Sequence, residues 1–529
     1  MKRESDLFGA RAATCARAGV LGLAAWVLGG CAMGPDYQRP AMATPEAYRD
    51  EAKPTEARSL VDVPWWNVFS DPVLAALVKE GLEQNLDLGI ATQRLEAARQ
   101  ANRAAFWALF PTLGVNLGAG RAHGSPGTPT VFPAMDAKGA FTGSLGASWE
   151  VDLWGRLRRT LEATEALANA AEEDRRGAQI AVVTEIADAY FQLRTLDAQL
   201  GCARDAVHIR KSTLALFKER AAGGVGNELE VVRAEANVHE AEALIVGLER
   251  SAVLTENALS LLLGKPSGAI VRGQKLDEFA LPPSVPAGLP STLLERRPDV
   301  RGAERRMAAA NARIGVAVAS FFPRFDLTGF LGFASADLTK LATSGGTDAV
   351  YGGSGVLGFT APILGGQGLQ ANLAAAKADY KAAELVWRKA ALAAVRDVND
   401  ALVQLKKAGE ARGSRAAQVA ALQRAVALAE QRYRGGVSNY LEMLAAQEQL
   451  LAADLAFAQV KGQQFAALVA LYRALGGGWE HLDASAPLHA SSASLPSGAA
   501  SPQPAASPQP AASPQPAASP STVAAPAVR

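Results

Sequence analysis

From Gly155 to Gly264 the chain contains no proline, has few glycines outside one cluster, and carries an apolar residue at every third or fourth position. Such a stretch can only become long helices, and the glycine cluster Gly223-Gly224-Val225-Gly226 divides it into two arms. In the second arm Val231, Ala234, Val238, Ala241, Ile245, Leu248, Ala252, Thr255, Leu259 and Leu262 alternate three and four residues apart, the a/d seam of a coiled coil. In the first arm Ile186, Ala189, Leu193, Leu196, Leu200, Ala203, Val207, Leu214 and Phe217 keep the same spacing, with Arg210 as the polar interruption. At about 1.5 Å per residue, an arm from Leu157 to Ala221 is roughly 100 Å long, far more than a compact domain needs.

The hairpin occurs twice. Gly223-Gly224-Val225 recurs as Gly435-Gly436-Val437, and the same offset carries Asp188 onto Asp400, Gly264 onto Gly476 and Phe110-Pro111 onto Phe322-Pro323. The seam moves with it, through Met443, Ala446, Leu450, Ala453, Phe457, Val460, Ala467, Leu471 and Ala474, with Gln464 polar. Prolines and glycines matching at one offset argue against chance similarity between alanine-rich helices. The chain reads as a duplicated unit, residues 65–284 and 285–480.

Residues 1–30 read as an address. Lys2, Arg3, Arg11 and Arg17 precede a short apolar run ending Leu28-Gly29-Gly30-Cys31, too short to span a bilayer as a mature helix. This ending resembles the lipobox of bacterial lipoproteins, which implies that Cys31 becomes an acylated N-terminus, palmitate among its chains. Alanine at position 32, where aspartate would favour retention at the inner membrane, implies an outer-membrane destination. An ordinary secretory signal with a fortuitous cysteine is the alternative. Of three cysteines only Cys202 then remains unmodified, so the mature chain can form no internal disulfide or cysteine metal cluster.

Residues 31–64, with prolines at 35, 40, 45, 54 and 64, read as a tether that cannot be a continuous helix. Asp71-Pro72 opens a helix predicted to run unbroken towards Phe110-Pro111, and its repeat partner spans about 291 to 322. Between these helices and the hairpins the period changes to two. Leu113, Val115, Leu117 and Ala119 alternate with small or polar residues, as do Phe141 to Trp149, Phe325 to Phe333 and, more weakly, Tyr351 to Phe359. These are strands with one apolar face, and the loops at 122–139 and 334–349 are long and rich in Gly, Ser, Pro and Thr. Four strands cannot close a barrel. In a membrane the barrel must therefore be shared between chains, since an open edge in hydrocarbon leaves backbone groups unsatisfied. A soluble sheet packed on the helices is the alternative.

Several motifs now combine. Gly34-Pro-Asp-Tyr37, Trp65-Trp66 with Asp71-Pro72, Trp149-Glu-Val-Asp-Leu-Trp-Gly-Arg156, Leu263-Gly-Lys-Pro266, Leu289 to Arg301 and Tyr433-Arg-Gly-Gly-Val resemble, in order and spacing, the outer-membrane efflux factors of the TolC and OprM type, in the lipidated NodT-like branch. The resemblance covers nearly everything from Leu28 to Gly478. It implies a mostly α fold with a small β part: duplicated coiled-coil hairpins forming an α-barrel, and four strands per chain contributing to a twelve-stranded transmembrane β-barrel in a homotrimer. It also implies a passive exit duct for small toxic molecules in the outer membrane of a Gram-negative bacterium. Its partners would be a periplasmic adaptor, an inner-membrane RND-type transporter and outer-membrane lipid. A duct for protein secretion and a non-conducting periplasm-spanning lipoprotein are the competing readings.

A search for chemistry gives an expectation of no enzyme, metal or cofactor. The five histidines lack metal-ligand spacing, no Walker loop is present, and Gly353-Ser-Gly-Val-Leu-Gly358 fits G-x-G-x-x-G only inside a strand-like run. Lys+Arg 53 against Asp+Glu 52 leaves no basic excess for nucleic acid. The aromatic pairs Trp65-Trp66 and Trp149/Trp154 suit packing or interface anchoring. Residues 481–529 read as a Pro/Ala/Ser-rich disordered tail containing copies of Ser-Pro-Gln-Pro-Ala-Ala, a composition too poor in apolar side chains to fold.

The candidate gate lies at the hairpin turns, Gly223-Gly224 and Gly435-Gly436. Glu230 follows the first turn and Glu442 the second, again related by the repeat offset, so a trimer would bring six carboxylates together. They could equally be solvated acids stabilising a helix N-terminus. The resemblance implies that this region closes the periplasmic aperture, through an apolar ring matching Leu441, acids one turn on, and polar ties at the position of Tyr433. The chain departs from that pattern at Ala445 and Ser438, which shifts the expectation to Leu441 with Glu442.

Overall fold

The structure is a computed structural model that describes residues 32–42, 45, 48, 66, 69–120, 140–279, 293–335, 349–362 and 365–477. Cys31 with the preceding address, Trp65, nearly all of both strand-to-strand loops and the tail from residue 481 lie outside these. All the described residues belong to one compact unit, Met1–Ala484.

Among the described residues twelve elements follow one another: α1 (Pro72–Gln84), α2 (Leu86–Trp107), β1 (Thr112–Gly120), β2 (Ala140–Glu150), α3 (Arg156–Ala222), α4 (Glu228–Leu262), α5 (Leu293–Arg296), α6 (Pro298–Ala319), β3 (Arg324–Ser335), β4 (Ala349–Thr360), α7 (Gly366–Arg434) and α8 (Tyr440–Ala474). The two long arms are α3, of 67 residues, and α7, of 69, each about 100 Å of helix. Their stability comes from the seam rather than from propensity. In the first hairpin Ile186, Leu193, Leu196, Leu200, Ala203 and Phe217 are buried, facing Ala234, Val238, Ala241, Ala252 and Leu259. Arg210 is buried too: its guanidinium donates to the carbonyl of Asn237 at 2.6 Å and pairs with Glu240 at 3.2 Å. The polar seam position is therefore satisfied across the hairpin rather than left open to water.

The helix predicted from Asp71 is two helices. Asn85 adopts an extended backbone (φ −63°, ψ 130°), its side-chain oxygen accepts the Leu88 N–H at 2.9 Å, and α2 restarts there. The break needs no proline because the asparagine supplies its own cap. The second half breaks at the matching position, Arg297, where Pro298 forces the preceding residue out of the helical region. Both breaks make the same tie. Asn85 donates its amide to the carbonyl of Leu262, the last residue of α4, at 2.8 Å, and Arg297 donates to that of Ala474, the last residue of α8, at 3.1 Å. Both satisfy a terminal carbonyl that the helix itself cannot. Gly264 and Gly476 follow at φ 68° and 69°, and a Cβ on Gly264 would lie 2.3 Å from the carbonyl oxygen of Gln84. The end of α4 thus abuts the start of α2, and the end of α8 the start of α6, so that two short helices in line match each long one.

Three clusters of buried side chains hold these columns. One centres on Phe191, stacked on Phe465 at 4.9 Å with Phe69 and Phe279 edge-on, and joins α1, α3, α8 and the segment through residue 279. A second joins α6, α7 and α8 around Val300, Met307 and Trp387, with Tyr48 of the tether. The third lies at the hairpin turns.

Candidate functional site

The four strands form one antiparallel sheet in the order β1-β2-β3-β4, so β1 and β4 each have a free edge among the described residues. Register fixes what each face carries. Val115, Leu145 and Leu331 share one cross-strand row, and Leu117, Gly143 and Phe333 share the next. This face is apolar yet open: Leu113, Val115 and Leu117 are 72%, 70% and 80% exposed. The opposite face presents Thr112, Ser148 and Thr328 in one row and Asn116 and Ser144 in another. Nine to twelve residues per strand suffice to cross a bilayer when tilted. Gly353 to Gly358, the sequence fitting a nucleotide loop, lies within β4 and opens no helix.

Aromatic side chains mark the sheet's base. Phe106, Trp107 and Phe110 are exposed and in mutual contact, with ring centroids 5.2 to 5.8 Å apart. Trp149 donates its indole N–H to the Leu109 carbonyl at 2.9 Å, and Trp154 donates to that of Pro323 at 2.8 Å while stacking on Phe322. The tryptophans lock helix to strand, while the exposed trio suits a membrane–water interface.

Cys31 lies outside the described residues, but its neighbours are seated. The Met33 N–H donates to the Trp154 carbonyl at 3.1 Å. Arg159, its side chain 5% exposed, donates to the carbonyls of Met33 and Gly34 and pairs with Asp36 and Glu162. Gly34 has φ 96° and lies so close to Gly315 of α6 that a Cβ would come within 2.5 Å of its Cα. The tether therefore begins at the base of the sheet, clamped between α3 and α6.

At the other end of the long helices the turns bring the predicted gate residues together, with corrections. Only the second glycine of each pair needs to be glycine: Gly224 and Gly436 have φ 73° and 70°, whereas Gly223 and Gly435 have ordinary negative φ. Asn227 and Asn439, equivalent positions of the two halves, cap the returning helices by accepting the N–H of Leu229 and Leu441 at 3.0 and 2.7 Å. Tyr433 is buried at 6% exposure and does not present its hydroxyl for a tie. Its ring meets Phe217 edge-on at 5.7 Å, with the Arg220 guanidinium 5.1 Å above it, and its hydroxyl has no hydrogen-bond partner. Burial raises the Tyr433 and Tyr440 hydroxyl pKa values above the usual tyrosine value.

Leu441 is 43% exposed, and Glu442 lies beside it, but Glu442 is ion-paired: Arg432 Nε is 3.4 Å away. Glu230 sits in the first turn of α4 with Glu228, near Tyr433 and Tyr440. The sequence reading missed Leu229, Val225 and Val437, which are 54%, 74% and 71% exposed. Applying the repeat offset to Leu441 and Val437 would have found Leu229 and Val225. Each chain thus exposes the same Val–Leu pair twice, beside an acid at each turn. No group of side chains suited to a metal ion occurs among the described residues.

Comparison with known proteins agrees with this geometry. The sequence profile described as "Outer membrane efflux protein" matches twice, at residues 77–265 and 289–477. The chain is 34% identical over 463 residues to the solvent efflux pump outer membrane protein SrpC of Pseudomonas putida, covering 86% of this chain and 96% of that one. It is 30% identical to nodulation protein T of Rhizobium leguminosarum bv. trifolii over 462 residues, with the same coverages. The open-state structure of the Neisseria gonorrhoeae MtrE outer membrane channel superposes with a TM-score of 0.74 at 30% identity, covering 85% of this chain and 99% of that one. An apolar sheet face with two free edges, hairpins of coiled-coil length and a doubled family match converge on one assignment: the chain belongs to the outer membrane efflux protein family and is an outer-membrane efflux channel of the NodT and OprM type.

Proposed function

We propose that three copies of the chain associate edge to edge, β4 of one pairing with β1 of the next, to close a twelve-stranded barrel whose apolar face meets lipid. The observation that carries this reading is the sheet itself: exposed leucines and valines on one face, hydroxyls and amides on the other, and two edges unpaired among the described residues. Free edges in hydrocarbon are untenable unless another chain pairs them. The long helices continue the barrel into the periplasm as a tunnel. The duct works passively, with a periplasmic adaptor meeting the exposed Val–Leu pairs at the turns and an inner-membrane RND-type transporter supplying energy. Its cargo is small toxic molecules, and the name of the solvent efflux relative supports lipophilic ones.

Cys31 is acylated and anchors the tether at the membrane surface. The clamp on Met33 and Gly34 supports this, because it holds the residues that follow Cys31 beside Trp154 at the base of the sheet. The test is sedimentation of the detergent-solubilised full-length protein together with single-channel recording in a planar bilayer. A trimer that conducts is expected, and a monodisperse monomer with full strand content overturns the architecture. Cys31→Ser should abolish the acyl mass while leaving the trimer able to form. An unchanged lipid-modified mass in that variant overturns the anchor.

A further inference from the structure

On the polar face of the sheet one residue is out of character. Along β3 alternate residues belong to that face, and the row at mid-strand reads Gly114, Gly146, Phe330, Ser354. The rows on either side are built from Thr, Ser, Asn and Gly, apart from Val356, which stands diagonally across from Phe330 on β4 and is 54% exposed. Phe330 is therefore a half-buried aromatic side chain on a surface otherwise lined with hydroxyls and glycines, near the centre of the twelve-residue strand β3. The row is open on its far side: a Cβ on Gly114 would meet nothing within 4 Å, and the ideal Cβ of Gly146 has only Asn116 and backbone near it. Both residues that β1 and β2 contribute to that row are glycines, so Phe330 is its one bulky member.

We propose that Phe330, contributed once by each of three chains with Val356 beside it, forms an apolar collar half-way along the lumen of the barrel, where it narrows the duct and contacts lipophilic cargo. This rests on the trimeric barrel described above, since one chain supplies a single ring and a collar needs its partners. A barrel of twelve strands spaced about 4.8 Å apart and tilted near 40° is roughly 25 Å across between backbones. Hydroxyl and glycine rows leave that width to water. Three inward phenyl rings on one level take up part of it. The part of a phenyl ring that still faces the lumen offers apolar surface whose burial is favourable. A lipophilic molecule in transit supplies that burial. The hydroxyls above and below hold water, so the contact is local and transient, as a duct requires.

Phe333 supplies the internal control, because it lies on the opposite, apolar face of the same strand and is 49% exposed. Single-channel conductance of the full-length protein should rise in Phe330→Ala and fall in Phe330→Trp, while Phe333→Ala leaves it unchanged. In Phe330→Cys a bulky, water-soluble thiol reagent should lower the conductance in three discrete steps, one per chain, and Phe333→Cys should not react in the bilayer. Phe330→Ser in cells should lower tolerance to an aromatic solvent more than tolerance to a hydrophilic toxic compound. Channels that open normally but keep the parental conductance in the Ala, Trp and reagent-treated Cys variants overturn the collar and leave the barrel standing. Failure of the parent protein to conduct at all overturns the barrel and the collar with it.

Discussion

The two hairpins share a sequence pattern and a length, yet they are packed unequally. Helix α3 buries side chains along most of its length, from Leu157 to Phe217, whereas α7 buries few and none before Trp387. The difference is position: α3 lies between α2 and α4 on one flank and α6 and α8 on the other, whereas α7 has α6 and α8 on one flank only. Leu385, Val386, Leu392 and Leu428 of α7 consequently stand exposed. On the other side of the chain Leu229, Val232, Val246, Val253 and Leu261 of α4 do the same. Duplication gave both halves the means to be flanked, and a single chain provides the flanking for one. The unsatisfied half is the side that the proposed trimer covers.

Phe191 and its repeat counterpart Val403 test that contrast most severely. Phe191 is 1% exposed within a four-ring cluster, and Phe191→Ala should cost about 3–5 kcal/mol by denaturant unfolding monitored by circular dichroism. Val403 is 37% exposed, and Val403→Ala should cost less than about 1 kcal/mol in the dissociated chain. A loss at Val403 that appears only in the associated protein would show directly that another copy covers α7.

The turns provide a second, smaller contrast. A Cβ on Gly226 would lie 2.7 Å from the backbone nitrogen of Ala221, where the Val225 and Gly226 N–H groups both bond the Arg220 carbonyl. The matching residue in the second turn is Ser438, whose hydroxyl is buried without a partner. Gly226→Ala should therefore destabilise by about 1–3 kcal/mol, while Ser438→Ala is neutral or slightly stabilising. Thermal melts of the two variants in one detergent decide it, and equal effects would mean that the turns are interchangeable.

Charge at the turns offers the mildest test. Arg432 offsets Glu442 in an exposed pair worth at most about 1 kcal/mol, so Glu230→Gln should lower the cation preference of the channel more than Glu442→Gln does. Reversal potentials in asymmetric salt measure this, with a larger effect at low ionic strength. Leu441→Ala, removing an exposed apolar side chain at the same turn, should raise the resting conductance. If neither property changes, the constriction lies elsewhere.

Much of this fold could be read from spacing. Heptads located three of the four long arms, the repeat offset implied the fourth, and alternation located the four strands, because both periods report which face is buried. A constant offset related the halves before any contact was known. What spacing could not reveal were exchanges between the halves. Phe217 and Tyr433 meet edge-on, and the offset places alanine opposite each of them, at Ala429 and Ala221. A large residue in one half thus fills space left by a small one in the other, which is why Tyr433 is core rather than a surface tie. The break at Asn85 was missed for a related reason. Asparagine there acts through its side chain on the far end of α4, a segment remote in sequence, and no local pattern reports such a bond.

The breaks at Asn85 and Arg297 give the molecule a mechanical division. Each chain contains two one-piece rods, α3 and α7, and two jointed ones, in which α4 meets α2 and α8 meets α6 through a single side-chain hydrogen bond and a glycine. Bending a continuous helix strains every turn along its length, whereas a jointed column can yield at one place. Displacement applied at the turns should therefore be taken up at one place in the two jointed columns, while α3 and α7 can follow it only by bending gently along their length.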